Sequence, residues 1–192
     1  MNHFFAYLEK MKSVKRWGLM RNTFEENIQE HSYQVTIIAH ALALIRRQVF
    51  HRPVDVERIL VLALYHDISE VITGDLATPI KTFNPQIEDA FKDLEGMANR
   101  RLHDMLPEEL QSGYAFLAEP SHEEDSTREL IKAADRISSY IKCVSELKMG
   151  NSEFAKAAES VKQRIDDLGL PEVDYFMEKF IPSFSLTLDE LN

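Results

Sequence analysis

Residues 62–70 read LALYHDISE. The run is apolar enough for a protein core. Yet it carries an imidazole and a carboxylate side by side, His66 and Asp67, with a second acid, Glu70, three residues on. Burying charge is costly unless it is paired or bound to a metal. On a helix His66 and Glu70, four apart, and Asp67 and Glu70, three apart, face roughly the same way. His66 and Asp67 diverge by about 100° around the axis. Their arms differ in length, so both can reach an ion placed between them. Either the three lie on the wet side of a helix, or they hold something.

The flanks predict which helix that is. Pro53 breaks the chain, Asp55 can cap a helix, and Gly74 is a natural residue to end it. Upstream, a helix over about 27–50 carries the stripe His31, Val35, Ile38, Leu42, Ile45 and Val49. Asn27 followed by Glu30 resembles a capping box with Asn in place of Ser or Thr. A short helix over about 3–12 precedes it. Downstream, the loop GDLATPIKTFNP (74–85) leads to helices over about 86–105 and from Pro107 to about 118. EPSHEEDST (119–127) is turn-like, with Asp125 or Ser126 capping a long helix to about Lys148 that Gly150-Asn151 closes. A helix over about 152–168 ends at Gly169, and Pro171 opens a last one that Pro182 stops. No period-2 strand, internal repeat or flexible linker is visible. The expectation is one all-α domain over 1–192, a bundle of about six to eight helices. Core helices span about 27–148, and C-terminal helices over about 152–180 pack on them.

The 192 residues are 44% hydrophobic and 28% charged, a balance typical of soluble globular proteins. The formal net charge of −10 argues against binding nucleic-acid polymers or anionic membrane, which need basic surface. It leaves open a small phosphorylated substrate. Cys143 is the one cysteine, so no intramolecular disulfide can form, which fits the cytoplasm. It reads as a small buried hydrophobe. No signal peptide and no apolar run of about 20 residues is present, so a soluble cytoplasmic protein is expected.

Two further residues match the opening stretch in character. His31 starts an apolar stripe, and Asp135 interrupts the apolar face of LIKAADRISSYI. Taken singly, each has a bland explanation: a satisfied boundary histidine, or an aspartate paired with Arg128 or Arg136. Together His31, His66, Asp67 and Asp135 offer two nitrogens and two oxygens from three predicted helices. Such mixed sets suit Mn²⁺, Fe²⁺, Co²⁺ or Zn²⁺ with open positions. A closed structural zinc site would more often use thiolates. His3, His40, His51, His103 and His122 lack this context and read as surface or packing residues.

With these residues in hand, the sequence resembles the HD superfamily of metal-dependent phosphohydrolases. RWGLMRN near the start, ALYHDISEVITGDLATPIK and KAADRISSYIK together closely resemble the bacterial HD-domain 5′-deoxynucleotidases, over residues 3 to 180 or so. The resemblance implies an HD-domain helical bundle, usually a homodimer, that hydrolyses deoxyribonucleoside 5′-monophosphates. It implies one divalent metal (Co²⁺, Mn²⁺ or similar) on His31, His66, Asp67 and Asp135. It implies substrate binding by Arg16, Trp17, His31, Asp67 and the segment Asp75, Leu76, Ala77 and Thr78. Glu70 and Asp75 would share catalytic or substrate-positioning roles.

The chemistry suits those types. Arg16 has a planar fork for two phosphate oxygens and lies among Lys10, Lys12, Lys15 and Arg21 with no acid between. The lysines read as a solvated basic face. Trp17, the one tryptophan, is either a packing anchor or a flat wall that excludes a ribose 2′-hydroxyl. Thr78 is equally well a turn residue before Pro79. Other readings stay open: an HD phosphohydrolase for a deoxynucleoside triphosphate, a guanosine alarmone or a cyclic nucleotide, or a non-catalytic metal- or nucleotide-binding module. A triphosphate would call for more cations beside the His-Asp pair than the sequence supplies.

Overall fold

In a computed structural model, which describes residues 2–118 and 125–191, three of the longer helices begin at side-chain caps and one at a proline. Asn27 Oδ1 accepts from the N–H groups of Gln29 (3.1 Å) and Glu30 (3.0 Å), and its own N–H donates to Glu30 Oε2 (3.4 Å). That is a complete capping box, and α2 (Ile28–Gln48) follows it. Asp55 Oδ1 accepts from the Arg58 N–H at 2.9 Å and starts α3 (Val56–Leu64). Asn84 does the same for α6 (Pro85–His103), and Pro171 opens α11 (Pro171–Lys179). The remaining α segments are α1 (Phe4–Leu8), α4 (Glu70–Thr73), α5 (Thr78–Lys81), α7 (Glu108–Gln111), α8 (Ala115–Ala118), α9 (Asp125–Lys148) and α10 (Ala155–Asp166). No strand occurs among the described residues, only an isolated antiparallel bridge of Lys15 with Asn27. The all-α expectation holds. No helix among these residues is long and apolar enough to cross a membrane. His122 and most of the polar stretch before α9 lie outside the described residues.

One expectation is corrected at the residues that matter most. The helix from Asp55 to Gly74 is not continuous. It stops at Leu64, residues 65–69 form a turn, and α4 is a single turn ended by Gly74 at φ +74°. The N–H groups of Ile68 (to Tyr65 O, 3.3 Å), Glu70 (to Asp67 O, 3.0 Å) and Val71 (to Ile68 O, 3.3 Å) reach back three residues instead of four. Such tighter winding stacks positions i and i+3 on one side. Here that side carries Tyr65 and Ile68. Ile68 is buried with Phe4, Leu102, Leu106 and Leu117. Tyr65 meets the rings of Tyr114 and Phe116, each with centroids 5.7 Å away. Core packing therefore sets the winding, and His66 and Asp67 are turned away from the core. The helix expected from Pro107 to about 118 is likewise in pieces, α7, a 3₁₀ turn (Ser112–Tyr114) and α8. It brings Tyr114, Phe116 and Leu117 to that same cluster.

The chain divides into two compact units. The first takes residues up to 20, 25–32 and 65 to the end of α8, around the cluster just described. The second takes 21–24, 33–64 and 125 onward. In it α9 packs against α3 and α10 over Ile59, Leu130, Ile137 and Ile165. Cys143 is buried there, as expected. Glu146, fully buried, accepts from Thr23 N–H (2.9 Å), Thr23 Oγ1 (2.7 Å), Asn151 Nδ2 (2.8 Å) and the Lys142 ammonium.

Candidate active site

The capping box places His31 on the first turn of α2, where its N–H bonds Asn27 O at 3.1 Å and its ring is fully buried. The 65–69 turn brings the other two ligand candidates to it. His66 Nε2 lies 3.0 Å and His31 Nε2 3.5 Å from Asp67 Oδ2. The imidazole centroids are 5.4 Å apart. One ligand atom from each of the three residues lies within 4.8 Å of the others. Two N or O ligands of one ion, each about 2.1 Å from it, stand at most about 4.2 Å apart. The two imidazole-to-carboxylate separations fall inside that span, and the widest pair, within 4.8 Å, needs an inward shift of about 0.6 Å at most for the set to close on one divalent cation. Burial works to raise the Asp67 pKa, but His66, His31 and Arg16 together hold it well below the carboxylate range. Asp67 is thus an anion, as a ligand must be. Asp135 is half-buried on α9, in the second unit, so the converging group within the first unit is these three.

Glu70 opens α4 and is buried. Burial, then the charges of Asp67 and Asp75, push it up to about 8 against the pull of Lys81 and Arg16. Its Oε1 accepts from Lys81 Nζ at 3.3 Å, while Oε2 is buried with no hydrogen bond from a described residue. Lys81 also stands 3.5 Å from Glu95 and over the Phe91 ring. The sequence reading passed over Lys81, although it is the one cation in the loop 74–85. Asp75, Leu76 and Ala77 follow Gly74 as half-buried irregular backbone, and Thr78 is exposed at the start of α5.

Arg16 Nη1 lies 3.8 Å from Asp67 Oδ2, which brings the guanidinium to the edge of the ligand group. Its Nε donates to Glu26 Oε2 at 3.1 Å, and Trp17 Nε1 donates to that same oxygen at 2.9 Å. Glu26 was not singled out from the sequence, since an acid in a polar stretch carries no local signal. The basic stretch around Arg16 is partly compensated: Lys12 pairs with Glu9, and Lys15 with Glu25 at 2.6 Å, all exposed. That agrees with a solvated face for the lysines.

This helical architecture is shared with solved HD-domain phosphohydrolases. The one from Listeria innocua superposes with a TM-score of 0.83 at 21% identity, over 95% of this chain and 88% of that one. The cyanophage S-2L HD phosphohydrolase (DatZ), bound to dA and one catalytic Zn²⁺, gives 0.62 at 22% identity, over 93% and 96%. The fold is therefore that of the HD-domain phosphohydrolases. Within that class, the chain belongs to the 5′-deoxynucleotidase YfbR-like family, whose pattern matches residues 3–184. It is 47% identical over 192 residues to the 5′-deoxynucleotidases of Yersinia pestis (strain Pestoides F) and Yersinia pseudotuberculosis serotype O:3 (strain YPIII), covering 100% of this chain and 98% of each.

Proposed function

We propose that the protein hydrolyses deoxyribonucleoside 5′-monophosphates to deoxynucleoside and phosphate, with one divalent metal on His31, His66, Asp67 and Asp135. The observation that carries this is the meeting of His31, His66 and Asp67 ligand atoms within 4.8 Å of one another. The named activity of the 47% identical relatives supports the substrate class, and the Zn²⁺ and dA of the cyanophage structure support metal and deoxynucleoside. Asp135 enters from the sequence pattern, and Co²⁺ or Mn²⁺ are the ions to try first. A homodimer in the cytoplasm is part of the same proposal.

A divalent cation supplies Lewis acidity, making water more acidic and drawing charge from a phosphoryl oxygen. The chain's own groups do the rest. Water oxygen bonds to phosphorus, the P–O5′ bond breaks, and the 5′-oxygen leaves with a proton. Arg16, beside Asp67, can grip two phosphate oxygens with its planar fork. Glu70 is buried and Lys81 engages its Oε1, so it exchanges a proton at Oε2. Asp75, on the loop after Gly74, binds a sugar hydroxyl or protonates the leaving oxygen. Leu76, Ala77 and Thr78 line the nucleotide beside it. The Trp17 indole walls off the sugar, and a 2′-hydroxyl trapped there without a partner is rejected.

Steady-state turnover of dAMP against AMP and dATP, with EDTA and then with Co²⁺, Mn²⁺ or Zn²⁺, tests the reading. Turnover should be lost with EDTA, return with metal, and favour dAMP. Asp67→Ala should abolish both turnover and stoichiometric metal in a folded protein. Equal rates on dAMP and AMP would overturn the substrate assignment.

A further inference from the structure

Arg16 and Trp17 are neighbours in sequence, and adjacent side chains ordinarily point apart. In this structure they share one acceptor. Glu26 Oε2 takes the Arg16 Nε–H (3.1 Å) and the Trp17 Nε1–H (2.9 Å). The backbone sets up the meeting. Lys15 and Asn27 form the isolated antiparallel bridge, Arg16 N–H donates to Glu26 O (2.9 Å), and Ile28 N–H to Val14 O (3.0 Å). Glu26 is thereby fixed opposite Arg16. Trp17 sits at φ +59°, a left-handed conformation that a bulky residue adopts only when its surroundings impose it. The Arg16 and Glu26 side chains are each only 11% exposed, so solvent screens the pair weakly.

We infer that Glu26 is a positioning residue: its carboxylate oxygen sets the Arg16 guanidinium and the Trp17 indole at one fixed angle to each other. This rests on the reading of Arg16 as phosphate ligand and Trp17 as sugar wall. With Nε committed to Glu26, Arg16 turns Nη1 toward Asp67. With the indole N–H committed to the same oxygen, the ring cannot swing to admit a 2′-hydroxyl. One carboxylate so couples the grip on the phosphate to discrimination at the sugar. Asn27, the next residue, caps α2, whose first turn bears His31, which ties the same segment to the ligand group.

The test uses the intact, metal-loaded protein. Glu26→Ala leaves both N–H groups without this acceptor. The KM for dAMP should rise about tenfold, with kcat within about threefold, as expected for loss of a charged hydrogen bond made in the ground state. The dAMP-to-AMP preference should fall alongside. Trp17 is the sole tryptophan, so iodide quenching of intrinsic fluorescence reads its ring directly, and quenching should increase. Glu26→Gln, which keeps an acceptor oxygen in place, should recover these readouts at least in part. Should Glu26→Ala lose its helical circular dichroism, Glu26→Asp replaces it, being too short to hold both donors, with the same shifts expected. A folded variant with wild-type KM, preference and quenching overturns the inference. If the wild type itself shows no preference for dAMP, the substrate reading fails instead, and quenching still decides the role of Glu26.

Discussion

Asp67 meets two imidazoles and a guanidinium, and its neighbour in space Glu70 meets one ammonium; that difference sorts their roles. The first is held ionised and suits ligation, whereas the second is pushed up to about 8 and suits proton exchange. Glu70→Gln should keep stoichiometric metal, read by elemental analysis, and lose about 10²–10⁴ in kcat, the range for a general acid or base. A near-normal kcat would assign Glu70 to packing. His31, His66 and Asp67 were legible in the sequence because charged or imidazole groups stand out against apolar spacing. Glu26 and Lys81 were not. Each is an ordinary charged residue whose meaning depends on partners about ten positions away, across a bridge or a loop, and periodicity says nothing of those.

At the level of elements, caps were the readable part. Asn27, Asp55 and Gly74 act where the sequence put them, because a cap is a local hydrogen bond or a local backbone need. The interior of the segment 55–74 was not readable. Its break at 65–69 follows from Tyr65 and Ile68 packing against residues from α1, α6 and the segment around α8, contacts that no local window contains. Because α2 begins just three residues before His31, its cap bears on the site. Asn27→Ala should cost about 1 kcal/mol of stability, a fall in Tm of about 2–4 °C at this chain size. It should also weaken metal binding in a titration, and Asn27→Asp should restore both. An unchanged metal affinity would mean that His31 is held by its burial alone.

On the scale of the molecule, acid stability offers a test away from the site. Glu146 is held at about 2; burial opposes this, but the bonds from Lys142, Asn151 and Thr23 outweigh it. A folded pKa below the ordinary 4.5 gives stability that is present above that pH and lost as pH falls toward 2. That lowering corresponds to about 3 kcal/mol. Glu146→Gln should therefore lower the Tm at pH 7 and flatten its decline in acid, measured by scanning calorimetry; a parallel decline would remove Glu146 as the cause. The all-α class was legible from spacing, because helical periodicity repeats along the whole chain. The division into two interleaved units was not, since each unit is assembled from non-contiguous stretches. Native proteins do not open uniformly, and tightly wound turns bond less well than α-helix. The 65–69 turn carries the ligand candidates His66 and Asp67, so an ion gripping both would slow its opening. Deuterium uptake at the amides of Ile68, Glu70 and Val71 should be rapid after chelation and slow once Co²⁺ is restored, whereas identical uptake would mean the ligands stand ready before any ion arrives.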